Sequence, residues 1–359
     1  MLKGHGDDGY AQQTAIKHDF SSNVCKEALP EGLLEYLCQH LEALTHYPEP
    51  ASESLRTLIA RREGVTPASV LVTNGATEAI YLTAQAFPQS VSYVLQPTFS
   101  EYADASRLSG HQVKGIRHLE EVGEEATMVW LCNPNNPTGT VIPKGELLLR
   151  IAAHPDVVFV VDQSYEAFCR EPMLSVQEAA TYGNLLLLHS MTKQYALPGL
   201  RLGYLTGAEK LVGKVECRLQ PWSVNVLAQR AGEFILEERG KATGRRTEFG
   251  NVRKEERGKR REICFEWNVD GYLRETQRLW TAVRGIDGME ALPTSTNFFL
   301  VRLEKPLARS LKQWLAKEGI LIRDASNFEG LDGHYIRIAA QRPEENDILI
   351  GKLKEWSMR

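Results

Sequence analysis

The sequence predicts an α/β protein in which a mostly parallel mixed sheet, flanked by helices, forms a large unit and a smaller α/β unit follows. One observation is a series of short apolar segments between residues 70 and 205, each bounded by Gly, Pro or other turn residues. Another is helix-like apolar spacing in the stretches between these segments. Apolar runs that alternate with helices are typical of parallel strands covered on both faces.

The predicted strands of the large unit are residues 70–72, 91–95, 128–132, 157–161, 185–189 and 203–205. Helical spacing covers residues 78–86, 102–108 and 145–153. In the small unit we expect strands at 297–302 and 335–339, with an amphipathic helix at 307–318 between them. We divide the chain into an N-terminal arm with part of the small domain (1–45), a large domain (46–237), a charged segment (238–262) and a small C-terminal domain (263–359).

The composition gives no reason to expect nucleic acid or a membrane as a partner. The 359 residues carry a formal net charge of −4, and the longest aliphatic run, residues 185–188, is far too short to span a bilayer. The basic stretch within 238–262 could bind nucleic acid, but a solvated helix or loop is the more common state of such mixed charge runs. Six scattered cysteines predict reduced thiols and no metal site. We expect a cytoplasmic protein.

A lysine after the strand at 185–189 has groups suited to a phosphate around it. Ser190 stands three residues before Lys193, Thr192 stands directly before it, and Arg201 stands eight residues after it. Two hydroxyls and a guanidinium can share phosphate oxygens while the amine attacks a carbonyl. The pattern therefore favours a phosphorylated ligand.

Three more strand ends carry polar or turn-forming residues, at the edge where parallel sheets bind ligands. Asp162 and Tyr165 follow the strand at 157–161, and a buried acid there needs a cation or a metal. The segment NPNNPTG (133–139) aims amide side chains at one point, and the segment at 73–78 opens a helix with free N–H groups. Each alone has an ordinary interpretation as a turn or an ion-paired strand end, but chance explains their combined order and spacing poorly.

The segments NGATE, NPNNPTG, VDQSY and SMTK followed by LPGLRLG resemble the class I/II aminotransferase-like family of fold-type I pyridoxal-phosphate enzymes. The resemblance extends over nearly the whole chain. It implies a fold-type I pyridoxal-phosphate transferase, with pyridoxal 5'-phosphate bound by the large domain. It also implies that Lys193 carries the cofactor as a Schiff base and later moves a proton at the substrate carbon, and that Asp162 keeps the pyridine nitrogen protonated.

The resemblance implies further roles by position. Asn136 and Tyr165 match the pair that hydrogen-bonds the ring hydroxyl, and Phe99 stands where the family stacks an aromatic ring on the cofactor. Arg337 matches the arginine that binds the substrate α-carboxylate. Tyr47 resembles a tyrosine that reaches the phosphate in the neighbouring subunit of a homodimer. The residues that correspond to the phosphate cup are Gly75, Ala76, Thr77, Ser190, Thr192 and Arg201.

Two subgroups fit, namely histidinol-phosphate aminotransferases and threonine-phosphate decarboxylases of cobalamin biosynthesis. Three segments resemble the decarboxylases: the His5-Gly6 start, HDFSSN at 18–23 and IRDASNF at 322–328. The residues implied to bind the substrate are His5, Asn23, Asn136, Arg323 and Arg337. His5, Asn23 and Arg323 are of types that would surround a phosphate.

The sequence also departs from the decarboxylase pattern. Residues 24–27 read VCKE where relatives have NPLG, and residues 5–8 read HGDD rather than beginning HGG. The distance from PWSVN to ETQRLW is longer than in relatives, so we interpret residues 238–262 as a surface insertion. These departures affect the expected substrate contacts and leave the expected cofactor site unchanged.

The implied activity is decarboxylation of L-threonine O-3-phosphate to (R)-1-amino-2-propanol O-2-phosphate, by a homodimer acting on a small phosphorylated amino acid. The alternative is an aminotransferase for histidinol phosphate or a related amino acid. A third hypothesis is a cofactor-binding regulatory module without turnover. Such modules usually carry a helix-turn-helix domain, for which residues 1–40 leave no room.

Overall fold

The computed structural model describes residues 6, 8–24, 28–242 and 269–358, with the backbone alone for 238–242. Its strands are β1 (His18–Asp19), β2 (Val70–Thr73), β3 (Val91–Leu95), β4 (Gln112–Ile116), β5 (Met128–Cys132), β6 (Val158–Asp162), β7 (Leu185–Ser190), β8 (Gly203–Gly207), β9 (Met289–Ala291), β10 (Phe298–Leu303), β11 (Ile320–Leu321), β12 (Arg323–Asp324) and β13 (Tyr335–Ala339). Its α-helices are α1 (Leu33–Gln39), α2 (Glu53–Glu63), α3 (Gly75–Ala86), α4 (Glu101–Leu108), α5 (Lys144–Ala153), α6 (Val176–Thr181), α7 (Met191–Gln194), α8 (Glu209–Glu216), α9 (Val226–Ala242), α10 (Val269–Arg284), α11 (Ala308–Lys317) and α12 (Pro343–Ser357).

The large sheet has seven strands in the order β2-β8-β7-β6-β5-β3-β4. Strand β8 runs antiparallel to both of its neighbours, and every other pair is parallel. This arrangement confirms the predicted mostly parallel mixed sheet. The edge strand β4 was not predicted, because its sequence QVKGI lacks a continuous apolar run and its first residue is exposed.

The central strands are buried on both faces, which is why they read as unbroken apolar runs. In β5 the side chains of Met128 and Trp130 belong to a core cluster on one face, and those of Val129 and Leu131 belong to a second cluster on the other. Successive side chains of a strand point to opposite faces, so each core needs only every second residue. Helices cover both cores and leave the carboxyl ends of the strands open to loops.

A second, antiparallel sheet forms the smaller unit, in the order β12-β13-β10-β9. It contains both predicted strands. Helix α11, which comes after β10 in the chain, matches the predicted amphipathic helix. The N-terminal strand β1 pairs in parallel with β11, which brings the start of the described chain to this unit. The domain boundaries at residues 45 and 237 stay a prediction. Within the described ranges, no helix has the length and apolar character needed to cross a membrane.

Candidate active site

The carboxyl end of β6 holds a buried acid. Asp162 is 5% exposed and is the last residue of β6. The sequence predicts it as the first residue after this strand. Its Oδ2 accepts a hydrogen bond from the Tyr102 hydroxyl at 2.7 Å, and its Oδ1 accepts one from the Ser164 amide at 2.8 Å. These donors fix the carboxylate in place. Burial raises the pKa of the Tyr102 phenol well above its ordinary value, with a further contribution from Asp162, so this hydroxyl stays a donor.

Lys193 lies in α7, a single turn that begins directly after β7. The ammonium-bearing side chain is half-buried, whereas Thr192 beside it is 4% exposed. Asp162 at the end of β6 is in register with Leu188 of the neighbouring strand β7. The two loops that carry the predicted lysine and the predicted acid therefore leave the same edge of the sheet side by side.

A compact cradle lies where β7, β8 and the start of α3 meet. An Arg201 Nη1 donates to Thr192 Oγ1 at 3.4 Å, and the guanidinium packs against Gly75, where an added Cβ would lie 2.6 Å from Nη2. Gly75 has φ +77°, a conformation that glycine adopts without strain. Ser190 stands opposite Gly203 across the β7–β8 pair, and a Cβ on Gly203 would lie 2.6 Å from the Ala76 amide.

The cradle therefore unites five of the six residues predicted for the phosphate cup, and Thr77 lies in the same first turn of α3. A helix N-terminus, hydroxyls and a guanidinium are the groups that bind phosphate in proteins. The chemistry of this donor set, together with glycines that leave space for backbone N–H groups, fits a phosphorylated cofactor.

Aromatic side chains pack behind Asp162. Phe99 contacts Tyr102 edge-on at a centroid distance of 5.8 Å, and Tyr102 stacks on Trp130 at 5.8 Å with 13° between the ring planes. Phe99 also lines a cavity of about 40 Å³ between the two units. The residues around this cavity are Gly6, Phe99, Ser100, Asn136, Arg323, Asn327, Phe328 and Arg337.

Two buried arginines face this cavity from neighbouring strands. Arg323 of β12 and Arg337 of β13 are direct cross-strand partners and are 5% and 4% exposed. Burial lowers the pKa of Arg323 to about 10, and the charge of Arg337 adds to this effect. Burial likewise lowers the pKa of Arg337 to about 10, while the Tyr165 and Asp19 side chains oppose the shift.

The two guanidiniums differ in their hydrogen-bond partners, and that of Arg337 keeps a donor for an anion. Arg337 donates to the Asn136 side-chain oxygen and to the Ser21 carbonyl, and its Nε has no hydrogen-bond partner among the described residues. Its guanidinium also lies 5.5 Å from the centre of the Phe298 ring. Arg323 donates to Asn327 Oδ1 at 2.5 Å and to the Asp324 carbonyl. Around Arg323, the negative charges of Asp324 and Asp8 partly oppose the lowering of its pKa.

Two other predicted residues lie beside the cavity. Tyr165 is 7% exposed and meets the Phe298 ring edge-on at 4.9 Å. Burial raises the pKa of its phenol, and Arg337 and the nearby Asn23 amide partly offset the shift. Asn23 is 1% exposed, and neither atom of its amide makes a hydrogen bond of standard geometry within the described part of the chain. The structure thus places Asn23 next to Tyr165 rather than on the cavity wall.

Two predicted residues are not part of the described cluster. His5 lies outside the described residues, although Gly6 next to it lines the cavity. Tyr47 is 84% exposed and its ring packs against Trp222, with 5.1 Å between the centroids. An exposed Tyr47 is compatible with a reach toward another subunit, which stays a prediction.

Sequence reasoning missed several residues of the site. Tyr102 stood only as the first residue of a helical stretch, and nothing in its neighbourhood pointed to a contact with an acid 60 positions away. Asn327 and Phe328 were quoted within a motif but were given no role, although Phe328 stacks on the Arg323 guanidinium at 5.1 Å. Their position four and five residues after Arg323 in IRDASNF was the available signal.

Comparison with known proteins agrees with the fold. Residues 15–353 match the sequence model of the family described as aminotransferase class I and II. The chain therefore belongs to this family, whose members depend on pyridoxal phosphate.

Both activities considered above occur among the relatives. The chain is 36% identical to L-threonine-O-3-phosphate decarboxylase from Porphyromonas gingivalis, whose crystal structure superimposes with a TM-score of 0.85 over 95% of this chain and 99% of that one. It is 28% identical over 353 residues to threonine-phosphate decarboxylase from Salmonella typhimurium, which covers 94% of this chain and 90% of the relative. It is 30% identical over 355 residues to histidinol-phosphate aminotransferase from Thermoanaerobacter pseudethanolicus, with coverage of 94% and 93%.

Proposed function

We propose that the protein is a threonine-phosphate decarboxylase that converts L-threonine O-3-phosphate into (R)-1-amino-2-propanol O-2-phosphate and CO2, in cobalamin biosynthesis. The observation that carries the proposal is the cross-strand pair of Arg323 and Arg337 on the wall of one small cavity. The similarity to decarboxylases of this substrate, at 28% and 36% identity, supports it.

The arginine pair is costly for the fold alone. Like charges directly opposite each other on neighbouring strands are destabilising, and burial removes the water that would screen them. A ligand with two anionic groups offsets both costs, because each guanidinium can bind one of them. Threonine phosphate has a carboxylate and a phosphate only a few bonds apart, and we assign the carboxylate to Arg337 and the phosphate to Arg323.

The cradle and the acid would hold the cofactor. We assign the cofactor phosphate to the cradle, the ring nitrogen to Asp162, the ring hydroxyl to Tyr165 and the Asn136 amide nitrogen, one ring face to Phe99, and the covalent link to Lys193. The Asn136 amide nitrogen is a donor, since its oxygen already accepts from Arg337. Bound pyridoxal phosphate supplies an electron sink for the bond that breaks at the substrate α-carbon.

The chain's own groups decide which bond breaks. Arg337 and Asn136 would hold the substrate carboxylate in one orientation, and this orientation would select the bond from the α-carbon to the carboxylate for cleavage. The α-carbon loses CO2 and gains one proton, so one proton is consumed per turnover. We assign delivery of this proton to the Lys193 amine, whose exchangeable proton suits general acid catalysis.

Transamination of histidinol phosphate is the second candidate. The 30% identity to an aminotransferase of this substrate supports it, as does Arg323, which would bind its phosphate equally well. In that reaction a proton rather than CO2 leaves the α-carbon. Histidinol phosphate has no carboxylate, so the two candidates differ in the substrate group that Arg337 binds.

We further propose that the enzyme is cytoplasmic and acts as a homodimer in which Tyr47 reaches the cofactor phosphate of the partner. The exposed Tyr47–Trp222 ring pair supports the homodimer, because large exposed aromatic groups are typical of interfaces.

One experiment separates the candidates. The purified enzyme with pyridoxal phosphate is incubated with threonine phosphate, and separately with histidinol phosphate plus 2-oxoglutarate, and CO2 and glutamate are measured. Lys193→Ala is the negative control in both reactions. We expect CO2 from threonine phosphate and little glutamate. Glutamate without CO2 would contradict the proposal and favour the aminotransferase, and neither product from a cofactor-loaded protein would favour the regulatory module.

A further inference from the structure

A buried histidine joins the two loops that carry the assigned cofactor contacts. His189 is 3% exposed and stands directly before Ser190, four residues before Lys193. Its Nδ1 lies 2.8 Å from Oε1 of Glu166, which directly follows Tyr165 in the loop after β6. The roles assigned above use neither His189 nor Glu166.

The His189 ring is held on its other sides by β8. Its Nε2 lies 3.3 Å from Thr206 Oγ1, and the ring stacks on Tyr204 with 4.5 Å between centroids and 16° between planes. A carboxylate only accepts hydrogen bonds, so Nδ1 carries the proton in the contact with Glu166. The contacts therefore fix the orientation of the ring and the site of its proton together.

The surroundings of His189 are acidic. Burial disfavours the charged imidazole, but the carboxylate of Glu166 outweighs it, with help from Glu63 and Asp162, and raises the pKa of His189 above its ordinary value. Tyr204 is a further titratable group in contact with the ring, and burial raises the pKa of its phenol. When the imidazole is protonated, the contact is an ion pair with a hydrogen bond, which is a stronger link than a neutral hydrogen bond.

We propose that the His189–Glu166 pair is a positioning element that fixes the loop after β6 against the end of β7. It holds Asp162 and Tyr165 in one orientation relative to Lys193, so that the cofactor ring and the lysine amine meet correctly. Residues that orient the direct contacts of a bound group commonly change its affinity although they do not touch it. This inference rests on the assignment of the cofactor to these two loops and is independent of the choice between decarboxylation and transamination.

Cofactor affinity of the full-length protein tests the pair. We expect Glu166→Ala to weaken pyridoxal-phosphate binding by about tenfold, since it removes a buried, charge-assisted hydrogen bond. Glu166→Gln keeps an acceptor for the Nδ1 proton and should stay within about threefold of the wild type. Glu216→Ala is the matched control, because Glu216 also pairs with a mostly buried cation, Arg56, but at the far end of α8.

Measuring the unfolding temperature beside the cofactor affinity separates a positioning role of Glu166 from a role in fold stability. Without cofactor, Glu166→Ala should unfold within about 3 °C of Glu216→Ala, while only Glu166→Ala loses cofactor affinity. Equal cofactor affinity in Glu166→Ala and the wild type would overturn this inference and leave the proposed function intact. A wild-type protein that does not bind pyridoxal phosphate would overturn both.

A second measurement does not need Glu166→Ala and can be made if that variant fails to fold. Nitrogen-15 NMR of the wild-type imidazoles should show His189 with a proton on Nδ1 and a titration above the ordinary histidine range. In Glu166→Gln the titration should move to lower pH, because the neutral amide no longer stabilises the imidazolium. A His189 ring that carries its neutral-state proton on Nε2 would contradict the hydrogen bond and overturn the inference.

Discussion

The cofactor side of the site and the substrate cavity are assembled in different ways. The end of β6, the end of β7 and the segments that follow these strands supply Asp162, Tyr165, Lys193 and Arg201 within 40 residues of chain. The cavity takes its arginines from two short strands near the C-terminus and its amide from Asn136, about 190 residues earlier. Most groups of the first region come from neighbouring strand ends, with the start of α3 completing the cradle, whereas the second region depends wholly on contacts between distant segments. Changes in the first should therefore affect every reaction of the enzyme, and changes in the second should affect particular substrates.

The largest effect is expected on the cofactor side. Lys193→Ala should lower kcat by at least about 10³-fold with any substrate, because a positioned acid–base group contributes roughly 10²–10⁴-fold and the covalent link is lost as well. Steady-state CO2 release measures it. Lys210→Ala, an exposed lysine on α8, is the matched control and should leave kcat unchanged. Equal loss in both variants would contradict the assignment of Lys193.

Arg337 should give the next largest effect. Arg337→Ala should lower kcat/KM by about 10²–10³-fold, because truncating one partner of a buried charged contact costs roughly 2–5 kcal/mol. The loss should be similar for threonine phosphate and for threonine, since both have the carboxylate. Arg302→Ala is the control, because Arg302 is exposed on the adjacent strand β10. A loss of kcat/KM for threonine phosphate but not for threonine would show that Arg337 binds the phosphate, which would contradict the assignment of the two arginines.

Arg323 should have a smaller and more selective effect. Arg323→Ala should raise KM for threonine phosphate by about 10–100-fold, since hydrogen bonds to charged groups are worth roughly 1.5–3 kcal/mol. Turnover of threonine, which lacks the phosphate, should stay the same relative to the wild type. Competition by inorganic phosphate, measured in both proteins, gives a second test. Equal losses for both substrates would show that Arg323 supports the fold and not the phosphate.

The smallest effect is expected from the cradle. In Gly75→Ala, the new Cβ would stand 2.6 Å from the Arg201 guanidinium at a backbone position with φ +77°. We expect pyridoxal-phosphate affinity to fall about tenfold, because the backbone and guanidinium must both shift. Gly145→Ala is the control, since no atom lies within 4 Å of its added Cβ. Equal affinity in both variants would show that the cradle does not hold the phosphate.

The same comparison explains what the sequence could predict. Ser190, Thr192 and Lys193 are neighbours in the chain, so their convergence follows once β7 is recognised as a strand. The cross-strand contact of Arg323 with Arg337 depends on the register of β12, which has only two residues and no apolar pattern. Their proximity was therefore expected only by resemblance.

Two further features escaped prediction for physical reasons. Tyr102 reaches Asp162 because the first turn of α4 lies beside the carboxyl end of β6, and this placement has no local signature in the sequence. His189 looked like the polar end of an apolar strand, and its contact with Glu166 depends on how the loop after β6 folds back. Both residues act through contacts between segments that the sequence does not connect.

Reduction of the loaded enzyme tests the central assignment most directly. Treatment with borohydride followed by proteolysis and mass spectrometry identifies the residue that carries the cofactor covalently. We predict a single pyridoxyl-phosphate group on the peptide that contains Lys193, with no label in Lys193→Ala. A label on any other lysine of the wild-type protein would contradict the account.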